Sequence, residues 1–126
     1  GNFPDFENVI PESNFNIVKV DKEVIFRGLK KVSAIISKSE PIKMSFYDNV
    51  IDIEAESDIG HAKELIEVEY NGEKITMNFN VRFVIDVVSH IYGKNILIKA
   101  PSKYGAVLFE GEEEVNYKNI IMPIRI

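Results

Sequence analysis

The clearest pattern along the chain is an alternation of apolar and polar positions. In "IKMSF", Ile42, Met44 and Phe46 fall on one side, with Lys43 and Ser45 on the other. "VIDIEAE" repeats the alternation with Ile51, Ile53 and Ala55 against Asp52, Glu54 and Glu56, and "LIEVEY" continues it with Ile66, Val68 and Tyr70. A period of two is that of a strand with one face buried and one in water, the usual state of an antiparallel sheet. "YDNV" and "YNGE" supply turn residues between the runs, and Asn71-Gly72 is the stronger hairpin signal.

Two stretches switch to helical spacing. In "DKEVIFRGLKKVSAIIS", Ile25, Leu29, Val32 and Ile36 recur at i, i+4, i+7 and i+11 behind Asp21, a suitable N-cap. In "NVRFVIDVVSHIYG", Val84, Val87, Val88 and Ile91 form one stripe, with Asn80 as N-cap and Gly93 at the C′ position. The second helix is crowded with β-branched residues, so tertiary packing must hold it.

The order of these elements repeats. A strand over 15–20, a helix and three strands are followed by a strand over 74–79, a helix and three more strands, "NILIKA", "AVLFEG" and "YKNIIMPI". Each half reads βαβββ, and each helix begins at an Asp or Asn directly after a strand. A period of about 55 residues occurring twice points to an internal duplication with a pseudo-twofold axis. The predicted class is α+β, with two helices packed on one face of antiparallel sheets.

Composition narrows the reading. A chain of 126 residues, 45% hydrophobic and 28% charged, is the size and make-up of one globular domain. No apolar run approaches the roughly 20 residues of a bilayer span, and no signal peptide leads the sequence, so the chain reads as cytoplasmic, without a membrane partner. It contains no cysteine, which removes disulfides, thiolate metal sites and cysteine nucleophiles. The net charge of −5 argues against a protein coated in positive charge for tight nucleic-acid binding. Gly1 before "NFPDF" reads as a cloning remnant, and without an initiator methionine the chain is expected to be a piece of a longer one.

Candidate chemistry is sparse. His61 and His90 are the only histidines, and neither has a second ligand at metal-binding spacing. No G-x-S-x-G, P-loop or G-x-G-x-x-G occurs. "EGEEE", from Glu110 to Glu114, reads as a solvated hairpin tip, because a hard-cation site needs converging oxygens and not a repelling local run. The sequence calls for no cofactor and no metal, and nothing in it reads as an enzyme.

Two surfaces stand out instead. Opposite the apolar stripe of the first helix lie Arg27, Lys30 and Lys31, either an ordinary solvated face or a weak, sequence-blind contact for phosphates. The second helix adds Arg82 but also Asp86. The chain end is the other surface. Pro123 cannot donate to a ladder and favours a strand exit, so Ile124 and Ile126 are predicted to fall beyond the cover of the sheet.

The opening "NFPDF", the stretch "NFNVRFVIDVV" and the closing "IIMPIRI" together resemble the C-terminal domain of the bacterial sliding clamp, the β subunit of DNA polymerase III. The resemblance covers essentially the whole chain. Its sharpest element is the terminal signature, here Ile121, Met122, Pro123, Ile124, Arg125 and Ile126, with a final isoleucine where the family usually has leucine. It implies the DNA-clamp fold, three such domains per subunit, and two subunits closed around duplex DNA with helices lining the hole. It also implies a non-catalytic processivity factor that slides on DNA and captures short linear peptides of polymerases, the clamp loader and repair proteins.

Carried over by position, the peptide cleft would comprise Pro4, Asn8 and Val9 from the entering segment and Asn80 and Phe83 from the start of the second helix. Tyr104 and Ala106 would come from a strand, and Ile120, Ile121, Met122, Pro123, Ile124, Arg125 and Ile126 from the chain end. Many relatives carry arginine at the position of Asn8, and an aromatic near Ser39, where this chain has Pro41 close by. The DNA-facing set would be Arg27, Lys30, Lys31 and Arg82. The edge joining two subunits would comprise Ile35, Ile36, Ala62, Glu64 and Ile66, preceded by less acid than relatives carry. A stand-alone peptide-binding module without a ring is the competing reading.

Overall fold

The computed structural model describes residues 15–36, 40–114 and 118–124. They form β1 (Phe15–Asp21), α1 (Lys22–Ser33), β2 (Pro41–Tyr47), β3 (Val50–Ser57) and β4 (Gly60–Glu67), then β5 (Ile75–Asn80), α2 (Val81–His90), β6 (Asn95–Pro101), β7 (Val107–Gly111) and β8 (Lys118–Ile121). The βαβββ order predicted for each half is therefore present.

The strands make two four-stranded antiparallel sheets, ordered β1-β6-β7-β8 and β4-β3-β2-β5. Each half lends its first strand to the sheet of the other, so the two orders are identical once β1 is matched with β5 and β2 to β4 with β6 to β8. The seams between the sheets match as well. Lys19, two residues before the Asp21 cap, bridges Glu69 after β4. Asn78, two residues before the Asn80 cap, accepts the Ile124 amide after β8 at 2.7 Å.

Both helices start as their sequences require. The Asp21 carboxylate accepts the Val24 amide at 3.1 Å, and the Asn80 side chain accepts the Arg82 amide at 3.0 Å. Ile25, Leu29 and Val32 of α1 and Val81, Val84 and Val88 of α2 are buried, and the helices pack on each other. Gly28 lets α1 approach β4 closely, since a Cβ there would lie 3.1 Å from Ile66 Cδ1. Lys22 donates to the Ile91 carbonyl at 2.6 Å, placing a cation at the C-terminal end of α2. Phe79 and Phe109, from different sheets, meet edge to face at 6.2 Å, so one core spans both.

Four expectations are corrected. The turn at Asn71-Gly72 does not close a hairpin, because β4 and β5 lie at opposite ends of one sheet; the tight turn is at Asp48-Asn49, with φ of 45° and 62°. Asn49 also accepts the Tyr70 amide through its side chain at 2.8 Å, fixing the segment after β4. The first helix stops at Ser33, short of Ile36. There the Ser33 hydroxyl bonds back to the Lys30 carbonyl, and the next three amides reach only three residues back.

The second helix is capped by the extended Ile91, so Gly93, at φ 106°, lies one position past C′. Finally, "EGEEE" is not uniformly a solvated tip. Glu110 is buried within β7 and meets Lys99 at 3.2 Å, because β7 is an inner strand and its pairing with β6 and β8 extends through the first residue of the acidic run.

Candidate functional site

The chain end departs from the sheet as its proline dictates. β8 is the last strand of its sheet, and its ladder stops with Ile121 opposite Val107. Past that point the backbone is held by two tethers from elsewhere: the Ile124 amide on Asn78 O, and the Tyr104 hydroxyl, which donates to the Pro123 carbonyl at 2.8 Å. A groove of about 290 Å³ runs beside this segment, lined by Tyr104, Pro123 and Ile124 together with β5 and the loop after β6.

Several large apolar side chains of α2 and the chain end are exposed. Phe83 is 63% exposed and Met122 53%, and Ile120, Tyr104 and Ile124 are exposed as well. Ile121 points the other way and is buried in the core. Ala106 is half-buried just before β7, and the Asn80 side chain is engaged in capping α2. Of the cleft residues expected from sequence, Tyr104, Pro123 and Ile124 share the groove, whereas Asn80, Phe83, Ala106, Ile120, Ile121 and Met122 do not line it. Pro4, Asn8, Val9, Arg125 and Ile126 lie outside the described residues.

The helix face carries Arg27, Lys30, Lys31 and Arg82, all exposed. Lys30 and Arg82 line one depression between the helices, and Asp86 lines it too. Lys31 stands 3.9 Å from Glu64. The basic groups are thus gathered on one side of the molecule but partly offset by acid.

The edge strand β4 pairs only with β3, which leaves its other side unpaired among the described residues. On this strand Ala62 and Glu64 are half-buried and Ile66 is buried under α1; Ile35 and Ile36, just past α1, are half-buried, and Ile36 lines the depression between the helices. Sequence reasoning missed the exposed Leu65 and Ile59 on and before this strand. Leu65 could have been found, since the alternation that turns Ile66 inward turns Leu65 outward.

Among the described residues no group of three or more His, Asp or Glu converges on a metal position. The acidic run is occupied otherwise: Glu112 meets Lys19 at 2.9 Å and Glu114 accepts the Tyr92 amide. Lys19 and then Asn95 hold the Glu112 carboxyl below its ordinary range. His90 sits exposed at the end of α2, its Nδ1 at 2.7 Å from the Asp86 carbonyl. No helix among the described residues is long and apolar enough to cross a membrane.

A duplicated βαβββ domain with strand exchange between its halves and both helices on one side defines a protein of the DNA-clamp class. The chain belongs to the family of the DNA polymerase III beta subunit, C-terminal domain, whose model matches residues 7–125. Among its relatives, the beta sliding clamp of Haemophilus influenzae is 27% identical over 129 residues, covering all of this chain and 35% of that protein. The beta sliding clamp of Caulobacter vibrioides is 28% identical, with 34% of its length covered. Of solved structures, the beta subunit of DNA polymerase III from Thermotoga maritima superposes with a TM-score of 0.86 at 32% identity, over all of this chain and 35% of that one. The sliding clamp of Caulobacter crescentus gives 0.86 at 26%, over all of this chain and 34% of that one. The chain thus spans about a third of the length of these relatives.

Proposed function

We propose that this chain is the C-terminal domain of a three-domain, non-catalytic sliding-clamp subunit. Two such subunits close into a ring around duplex DNA, and the surface at the chain end captures short peptides of polymerases, the clamp loader and repair proteins. The observation that carries this reading is the chain end itself. Met122 and Ile124 are left exposed after strand pairing stops, on a backbone fixed by Tyr104 and Asn78. A preformed apolar surface binds a peptide without first being ordered, which lowers the cost of association. Peptide anchors of leucine and phenylalanine suit Met122, Ile124 and Phe83, each buried side chain contributing about 1.5–3 kcal/mol before ordering costs.

The unpaired side of β4, together with Ile35 and Ile36 past the end of α1, is the edge that meets the second subunit in this reading. An exposed strand edge invites pairing with another chain, and a closed ring uses it. Whatever domains precede this one supply the remainder of the peptide cleft.

The test is an NMR titration with a peptide carrying a Leu-Phe pair. Shifts are expected at Phe83, Tyr104 and 120–124, with a dissociation constant of tens of micromolar or weaker, on the order of a few buried side chains less ordering costs. Deleting residues 124–126 is expected to abolish binding while the remaining spectrum stays dispersed. Shifts confined to α1, with the chain end silent, would overturn the assignment.

A further inference from the structure

The duplication supplies an internal comparison for the groove beside the chain end. Its counterpart lies between β1 and the segment after β4, lined by Asn16, Ile17, Glu69 and Tyr70 among others. The two grooves are built on matching backbone: Asn78–Ile124 in one and Lys19–Glu69 in the other. Their charges differ. The groove at β1 is lined by Glu69 and by no lysine or arginine. The groove at the chain end is lined by Lys74 and Lys103 and by no aspartate or glutamate.

Both lysines are exposed, and among the described residues neither meets a carboxylate within ion-pair distance. Lys74 Nζ stands 5.0 Å from the centroid of the Tyr47 ring, a cation–π contact that holds the ammonium at the surface without neutralising it. On a chain of net charge −5 the groove that Pro123 and Ile124 line thus has two cationic residues in its lining.

We propose that this groove receives an acidic segment flanking the apolar anchors of a bound peptide, with Lys74 and Lys103 meeting its carboxylates. The proposal rests on the peptide-binding reading of the chain end. The acidic body of the domain repels such a segment elsewhere, so the two lysines select for acid at this groove. The counterpart groove, with Glu69 in place of Ile124, is unsuited to the same ligand.

The test uses the full-length protein that carries this chain and three labelled peptides sharing one Leu-Phe pair, flanked by Asp-Asp, Ser-Ser or Lys-Lys. At low ionic strength the Asp-Asp peptide is expected to bind about threefold to tenfold more tightly than the Ser-Ser peptide, as two exposed ion pairs allow, and the Lys-Lys peptide more weakly than both. The spread is expected to collapse at high salt. The double variant Lys74→Glu, Lys103→Glu, altered only at exposed positions, is expected to reverse the order of the Asp-Asp and Lys-Lys peptides. Equal affinity for all three peptides, or an order the variant does not change, overturns the acidic-segment proposal alone. Failure of all three to bind overturns it together with the reading on which it rests.

Discussion

Glu54 lies on the outer face of β3 between two lysines, with Lys63 at 3.2 Å and Lys43 at 3.4 Å. Lys63 also stands 3.5 Å from Asp52, whose other partner is the Tyr47 hydroxyl at 3.0 Å. This lattice of charge makes an exposed sheet face polar without leaving like charges opposed across strands. Its titration has a definite sign. Hydrogen bonding to Lys63, more than to Lys43, holds the Glu54 carboxyl below its ordinary value of 4.5, against the opposing effect of desolvation. A depressed folded-state pKa contributes stability that is present above the unfolded value and lost as the pH falls through the folded one. In Lys63→Met the Glu54 pKa is expected to rise towards 4.5, read by NMR titration of its side-chain carboxyl carbon. The variant's loss of stability relative to the parent should be present at neutral pH and shrink below pH 4.5 as Glu54 protonates in both proteins. An unchanged Glu54 pKa in the variant would show that Lys63 does not govern this carboxylate.

At the scale of elements, the two helices differ in what sustains them. α1 contains good helix formers, whereas α2 strings together Val81, Val84, Ile85, Val87 and Val88, which pack well but favour the helix little. The caps Asp21 and Asn80 stand at equivalent positions, so replacing each by alanine compares the two directly. Each change is expected to cost about 1 kcal/mol, measured as a lower urea midpoint at unchanged m. Asn80→Ala should also speed amide exchange in α2 more than Asp21→Ala does in α1. Equal local exchange in the two variants would mean that packing alone sets helix stability here.

The same elements show what a sequence discloses. Alternation and caps are local, so the βαβββ order of both halves was readable. Sheet membership is not local: nothing in residues 74–79 says that this strand pairs with β2 across the duplication, and Asn71-Gly72, a good turn dipeptide, was therefore misread as a hairpin. At the candidate site Pro123 and the Ile124 after it advertise a segment that leaves the sheet. Lys74 and Lys103 do not, because they become neighbours of that segment only when β5 and the loop after β6 are brought together. The acidic run misled in part for a related reason, since the burial of Glu110 depends on its pairing in β7.

For the whole molecule, the decisive property is how little positive charge the helix side presents. In the proposed ring this side faces duplex DNA, and a protein that travels along DNA must meet phosphates without being held by them. Arg27, Lys30, Lys31 and Arg82 could neutralise at most a handful of phosphates, with Glu64 near Lys31 and Asp86 beside Arg82 opposing even that. The isolated chain is accordingly expected to bind duplex DNA of any sequence with a dissociation constant of roughly 10⁻⁴ M or weaker, its logarithm changing with log salt by a slope no steeper than about 3.6 for four phosphates. Fluorescence anisotropy with two unrelated duplexes across a salt series measures both quantities. Lys30→Glu combined with Arg82→Glu should remove the residual binding, since these two cations line one depression between the helices. Sub-micromolar affinity, preference for one duplex, or indifference to salt would each show a gripping surface where sliding requires a yielding one.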